Sequence, residues 1–488
     1  MQRIQPCWLN HPTLLSLGFL LQFCGSLARA EELFDVEAIR DPATLEVKVL
    51  SDWTVSAKEP GVKQKLLEIT VCEWWPGQNV RLPVTLNAPA NGDVVRNLVV
   101  ANQGLGERPT LPAKGQLRLL KEYGIGVVLV GMGTIDMMKP VGELHLGMKR
   151  KLLETQNARY SVAWIWGMSQ MRALTAAMTE PEVFQPQKVL TTGGSKRGVA
   201  STVAGIIDDR FTAIMPVVAP IAGNPGAPVF VEGTEPESIL ATNEAFLIRA
   251  DPVHAKAFRD RSKRRGNHRV TLAEAVEAGW SEEDMRRMTD LVWDASRITN
   301  FLPDIKERGL VFFWNVGTND SVSPDLKKAG LAYPDFPLCI IPGGQHGGPA
   351  TAGFTKRVPI LPEVEENFMS FALSHFENAR SMPTAPRLNL ENSESTVTVI
   401  ATFPSETEPT KNEVYFSLNR SEPYTLDFEF DDWTSVTMEK TGTGRYEAKF
   451  SLPDGANARR IDVVTQHRHL ENGLPITFSG PYSSIDLN

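Results

Sequence analysis

Two kinds of hydrophobic pattern divide the chain. Residues 31–95 alternate polar and apolar, as in Leu66-Leu-Glu-Ile-Thr-Val-Cys72, which predicts antiparallel strands at the edge of a sheet. From residue 97 the apolar residues gather into short runs: Asn97-Leu-Val-Val-Ala101, Gly126-Val-Val-Leu-Val130, Lys188-Val-Leu-Thr191, Ala213-Ile-Met-Pro-Val-Val218, Leu310-Val-Phe-Phe-Trp314 and Leu338-Cys-Ile-Ile341. Runs that are apolar on both faces predict buried parallel strands separated by helices. The rhythm stops between residues 223 and 300, where Thr271-Leu-Ala-Glu274 and Ser281-Glu-Glu-Asp284 have the form of helix N-caps. That stretch reads as a helical insertion over the carboxyl edge of the sheet, either a lid or a helix pair with only a packing role.

A helix over residues 363–376 should close this α/β domain, which spans residues 31–380. Ser381-Met-Pro-Thr-Ala-Pro386 opens a linker placed at 381–388. Beyond it, over residues 389–488, short alternating strands return: Thr396-Val-Thr-Val-Ile-Ala-Thr402, Val414-Tyr-Phe-Ser417, Tyr446-Glu-Ala-Lys-Phe450 and Ile461-Asp-Val-Val-Thr465. With Gly and Pro turns between them, they suit a small β-sandwich.

Charge and cysteine usage narrow the class. Residues 1–30 carry no acid, Arg3 and Arg29 as their bases, an apolar core at residues 14–24, and Ala28-Arg29-Ala30 before Glu31-Glu32. This is the form of a secretory leader cleaved near Ala30, with an apolar run too short to span a bilayer. The expectation is an exported protein, periplasmic or extracellular, with no stable membrane insertion. The 488-residue chain has a formal charge of -8, more negative still once Arg3 and Arg29 are removed, which argues against a nucleic-acid partner. The basic run Arg259-Asp-Arg-Ser-Lys-Arg-Arg265 reads as a solvated surface. Of the four cysteines, Cys7 and Cys24 leave with the leader. Cys72 and Cys339 could pair in an oxidising compartment, or stay as buried thiols. No spacing suggests a metal site.

The chemistry gathers at Gly193-Gly194-Ser195-Lys196-Arg197-Gly198. A β-rich run leads into this Gly-x-Ser-x-x-Gly turn, and a helix-compatible run from Val199 to Ile207 follows. That strand–turn–helix context is the one in which α/β-hydrolases hold a nucleophilic serine, although a structural turn would have the same composition. A serine hydroxyl needs a base to take its proton and an acid to orient that base. In the order Ser, acid, His, the candidates are Ser195, Asp320 in Gly317-Thr-Asn-Asp320, and His346 in Gly343-Gly-Gln-His346-Gly-Gly. Both partners follow predicted strands, at the edge where open α/β sheets assemble their sites. Asp325 and Asp335 are nearby alternatives to Asp320, and Asp320 itself suits a simple turn. His145 could line the pocket; His254, His268, His375, His467 and His469 lie in the insertion, at a helix end or in the β module. An oxyanion hole would take the Lys196 N–H and a second donor from Asn102-Gln-Gly-Leu-Gly106, with Gly104 or Leu105 favoured. The Lys196 and Arg197 side chains would either favour an anionic substrate or pair with acids nearby.

At these residues the chain resembles the PhoPQ-activated pathogenicity-related proteins, a family of the α/β-hydrolase superfamily. The resemblance rests on Thr192-Gly-Gly-Ser-Lys-Arg-Gly198 followed by Asp208-Asp-Arg-Phe-Thr-Ala-Ile-Met-Pro-Val-Val218. It extends to Trp74-Trp-Pro, the residue 97–104 strand and loop, Asp294-Ala-Ser, the Asp320 and His346 loops, and weakly to Leu426-Asp-Phe-Glu-Phe-Asp-Asp-Trp433. The chain departs from the family at Val199, where the pattern has Trp, and in its Gly-Gln-His-Gly loop. Ala163-Trp-Ile-Trp-Gly-Met-Ser-Gln-Met-Arg-Ala-Leu174 ahead of the elbow is similar to glucuronoyl esterases, in which an Arg stands at the position of Lys196. These resemblances imply a serine hydrolase that needs no cofactor, with a small-molecule or polysaccharide ester as substrate. A prolyl-oligopeptidase-like peptidase and a non-catalytic binding protein on a hydrolase scaffold are the alternatives.

Overall fold

The computed structural model describes residues 33–102, 106, 108–132, 141–221, 230–231, 270–294, 296–318, 326–344, 362–393, 396–404, 407–420, 433–452 and 458–487. The leader at 1–30, the basic run at 259–265 and most of the insertion lie outside these residues.

The strands of the main sheet are β1 (Lys48–Val55), β2 (Val62–Trp75), β3 (Gln78–Pro89), β4 (Val95–Asn102), β5 (Gly126–Val130), β6 (Phe184–Gly194), β7 (Ala213–Val217), β10 (Val311–Phe312), β11 (Trp314–Gly317) and β12 (Leu338–Ile341); between β7 and β10 lie two-residue strands β8 (Phe230–Val231) and β9 (Val270–Thr271). Their order is β1-β2-β3-β5-β4-β6-β7-β11-β12, with β10 beside β7. β1, β2 and β3 are antiparallel, as the alternating pattern of residues 31–95 predicts, and β4 through β7, β11 and β12 are parallel. The crossover that places β5 outside β4, followed by steady outward growth, is the α/β-hydrolase order. β5 is buried at every position, which is why its sequence shows no alternation.

Among the described residues the helices of this part are α1 (Val36–Arg40), α2 (Lys114–Tyr123), α3 (Val141–Thr155), α4 (Val162–Met178), α5 (Lys196–Ile207), α6 (Leu272–Glu277), α7 (Glu282–Asp294), α8 (Leu302–Arg308), α9 (Leu326–Ala332) and α10 (Pro362–Glu377). α4 and α5 pack against each other closely enough that a Cβ on Gly167 would collide with Val203 Cγ1. The N-cap read at Ser281 is reciprocal: the Asp284 N–H donates to Ser281 Oγ at 3.1 Å, and the Ser281 N–H to Asp284 Oδ2 at 3.1 Å.

Two details differ from the sequence expectation. The strand read at 310–314 is split at Phe313 into β10, which pairs with β7, and β11, which also pairs with β12 and runs to Gly317. The insertion is not wholly helical, because β8 and β9 pair in parallel within it. Runs of two residues are too short to show any periodicity.

Residues 381–386 carry no regular secondary structure and lead into β13 (Arg387–Ser393), which opens inside the stretch read as linker. With β14 (Thr396–Thr402), β15 (Lys411–Leu418), β16 (Thr434–Thr437), β17 (Glu439–Gly442), β18 (Arg445–Ser451), β19 (Arg460–Glu471), β20 (Leu474–Ser479) and β21 (Ser483–Asp486), it forms two antiparallel sheets, β13-β14-β18-β17 and β16-β15-β19-β20 with β21 on β19. Phe416 of one stacks on Phe450 of the other at 4.3 Å between ring centroids. α10 joins this module to the main sheet. Buried Asn367 donates to Asn315 Oδ1 of β11 at 2.9 Å and to Thr477 O of β20 at 2.9 Å, and accepts from the Thr477 N–H at 2.8 Å.

Cys72 and Cys339 are separate thiols, and burial pushes each up to about 12, far from a reactive thiolate at neutral pH. Among the described residues no helix is long and apolar enough to cross a membrane, and no His, Cys, Asp and Glu group could hold a metal ion.

Candidate active site

Parallel pairing brings the carboxyl ends of β4, β6, β7, β11 and β12 to one edge of the sheet, and the sequence candidates follow those ends. Ser195 stands between β6 and α5, with φ 59° and ψ -132°. A side chain in this quadrant is held there at a cost of about 1–3 kcal/mol, and such strain gathers at functional sites. The restraints are visible. The Ser195 N–H donates to Val217 O at 3.0 Å, while its carbonyl accepts from the N–H groups of Gly198 at 2.7 Å and Val199 at 3.0 Å. The turn is tight enough that a Cβ on Gly193 would lie 2.5 Å from Arg197 O, and one on Gly198 would lie 2.8 Å from Ala219 Cβ. These two glycines explain the spacing: Gly198 faces the neighbouring strand end, whereas Arg197 contributes only its backbone to the crowded side of the turn. Val218, immediately beyond β7, is also at positive φ, 48°, and its N–H donates to Asn315 O at 2.7 Å.

Ser195 is followed directly by α5, so the Lys196 N–H lies in the helix's first turn, where backbone donors lack intrahelical partners. The Lys196 ammonium lies 5.9 Å from the centre of the Trp166 ring on α4. The acids at the far end of α5 are engaged elsewhere: Asp208 holds Arg40 and Arg210, and Asp209 pairs with Arg40. The Trp166 indole N–H is buried and has no hydrogen-bond partner among the described residues.

Asp320, His346, Gly104 and Leu105 lie outside the described residues, as do Asp325, His254 and His268. Their flanks are described. β11 ends at Gly317, three residues before Asp320, and β12 ends at Ile341, five before His346. The two exits are joined, for the Thr318 N–H donates to Ile341 O at 3.1 Å and the Gly343 N–H to Thr318 Oγ1 at 2.8 Å. Ahead of Gly104 and Leu105, Asn102 closes β4 and its Oδ1 accepts from Gln170 Nε2 at 2.8 Å.

The rival residues have other surroundings. Asp335 is exposed in the turn that enters β12, at the opposite end of the strand from the site. His375 Nε2 meets Thr212 Oγ1 at 2.8 Å, and burial lowers it to about 4. His467 is fully buried between Asn412 and Thr465, and burial lowers it to about 3. His145 belongs to α3, and its side chain is not among those described.

Sequence reasoning missed Gln170, which is fully buried on α4 beneath the elbow. Its amide also donates to Ser201 Oγ at 3.2 Å, its carbonyl accepts from the Thr191 hydroxyl, and Ser201 in turn donates to Arg197 O at 2.8 Å. One polar side chain thus ties β4, β6, α4 and α5 together. A glutamine in the otherwise apolar stretch Ile165-Trp-Gly-Met-Ser-Gln170-Met171 was the available signal.

No curated protein matches the sequence. Among solved structures, an acetyl xylan esterase from a Paenibacillus species is 13% identical, with 76% of this chain and 96% of that one covered and a TM-score of 0.41. Acetyl xylan esterase 1 from a Thermoanaerobacterium species is 13% identical over 69% of this chain and 90% of that one, at a TM-score of 0.35. A glucuronoyl esterase from Solibacter usitatus is 16% identical over 38% of this chain and 54% of that one, at a TM-score of 0.26. The model of the PhoPQ-activated pathogenicity-related protein family matches residues 151–224, from the end of α3 through α4, β6, the Ser195 elbow, α5 and β7, so the resemblance carried by the Ser-Lys-Arg-Gly segment is to that family.

Proposed function

We propose that this chain is an exported serine esterase, with Ser195 as nucleophile, His346 as general base and Asp320 as the acid that orients it. The observation that carries the reading is the strained Ser195 backbone, φ 59°, at the carboxyl end of β6 and the start of α5. Strain of that kind lifts a side chain clear of the sheet edge, where an incoming ester can reach it. In the proposed reaction Ser195 Oγ attacks the ester carbonyl while its proton passes to His346. The tetrahedral oxyanion is held by the Lys196 N–H and a second backbone N–H at Gly104 or Leu105. Collapse expels the alcohol, which takes the proton from His346, and water then attacks the acyl-enzyme by the same steps reversed.

A carbohydrate ester is the favoured substrate, since an exported hydrolase with an appended β module suits a polymer surface. The residue 31–380, 381–388 and 389–488 division, and the lid role of the insertion at 223–300, belong to the same proposal.

The test is a fluorophosphonate probe applied to the wild type and to Ser195→Ala, with the adduct mapped by mass spectrometry. An adduct on Ser195 that the variant lacks supports the reading. Labelling at a different serine, or none on folded protein, overturns it. Turnover of sugar esters beside peptides then separates the esterase from the peptidase.

A further inference from the structure

The C-terminal sheets reach the two strand ends that precede Asp320 and His346 in the chain. Those ends already form one unit through Thr318, Ile341 and Gly343, and they approach so closely that a Cβ on Gly317 would collide with Gly344 O. From the module, Arg420, two residues beyond β15, donates Nη2 to Thr318 O at 3.0 Å. Its guanidinium lies 4.9 Å from the Trp433 ring, and Arg460 donates to the Arg420 carbonyl. The arginine is therefore held at head and backbone alike. Thr318 O accepts a charge-assisted bond only two residues ahead of Asp320.

β12 is held from the same side. It is the last strand of the main sheet, and its Ile340 N–H donates to Ser479 Oγ at 2.9 Å while Ile340 O accepts from Gln466 Nε2 at 2.7 Å. Side chains of β19 and β20 thus take the place of a further strand, which both satisfies the edge and fixes β12 against the module.

We propose that the module is a positioning element of the active site, with Arg420 the residue that fixes the exit of β11 at Thr318, two residues ahead of Asp320. This rests on the esterase reading of Ser195, Asp320 and His346. An appendage that only binds polymer needs no bond to the exit of β11. A loop displaced by about 1 Å can cost an enzyme up to a hundredfold, so the clamp has kinetic consequences.

The test compares wild type, Arg420→Ala, Arg420→Lys and Val399→Ala, the last thinning the module core on β14, in the sheet that does not lead to Arg420. Each is read for kcat and KM on a 4-nitrophenyl ester, for fluorophosphonate labelling rate, and for thermal midpoint. In the expected result Arg420→Ala lowers kcat and labelling together by about tenfold to a hundredfold with KM within about twofold. Arg420→Lys restores most of the loss, and Val399→Ala leaves kcat near wild type. Unchanged kcat in Arg420→Ala overturns the proposal, as does an equal loss in Val399→Ala. If Arg420→Ala does not fold, Gln466→Ala decides, because it removes the module's bond to Ile340 O, and wild-type kcat in that variant overturns the proposal. Wild type that fails to label at Ser195 refutes the esterase reading instead, which keeps the two failures distinct.

Discussion

Gln170 donates its side-chain amide to Asn102 Oδ1 at 2.8 Å, joining helix α4 to the end of β4, where the proposed oxyanion loop begins. The same amide group spans to Ser201 and Thr191, so its removal takes a partner from Asn102, Ser201 and Thr191 at once, while Ser201 keeps its bond to Arg197 O. Each buried polar atom left without a partner costs about 1–3 kcal/mol. Gln170→Ala should therefore lose roughly 3 kcal/mol of unfolding free energy. Urea unfolding measures it, and a loss under about 1 kcal/mol would show that the network contributes little.

The strain at Ser195 gives a prediction independent of activity. Ser195→Ala and Ser195→Gly both remove the hydroxyl proposed as nucleophile, but alanine keeps a Cβ at φ 59° and glycine does not. Glycine should be more stable than alanine by about 1 kcal/mol, reversing its usual order in a helix-flanking position. Paired calorimetry of the two variants checks this. Alanine emerging as the more stable would mean that the elbow is unstrained.

Acid should weaken the fold through two histidines remote from the proposed chemistry. Burial lowers His375 to about 4 and His467 to about 3, both beneath the ordinary value of 6.5. Each is neutral when folded and binds its proton more readily when unfolded. Their contribution is complete above about pH 6.5 and is lost as the pH falls towards 4 and then 3, at about 1.4 kcal/mol per pH unit for each group. Denaturant midpoints should fall steadily from about pH 6.5 to about pH 4, and a flat profile there would contradict the burial of both rings.

Much of the architecture was legible because it is written in neighbouring residues. The runs at 126–130 and 338–341 match β5 and β12 end for end, and the alternation at 396–402 matches β14. Periodicity of this sort records which faces of a strand meet apolar surroundings, and that is a local property. The Ser195 turn was legible for a similar reason, since strand, glycine pair and helix follow one another without interruption. Arg172 was not. It lies among the apolar residues of α4, yet its buried guanidinium donates to the carbonyls of Ala38, Ile39, Asp41 and Thr70, segments that no local pattern links to it.

The order of adjacent side chains was enough to specify the strand and helix runs, the β-rich character of the last hundred or so residues and the presence of an elbow serine. It took the folded chain to set Gln170 beneath the elbow and to bring Arg420 to Thr318, 102 residues away in the chain. Hydrogen bonds over such separations depend on how whole elements pack. Packing is a collective property of the core, and no window of residues along the chain contains it.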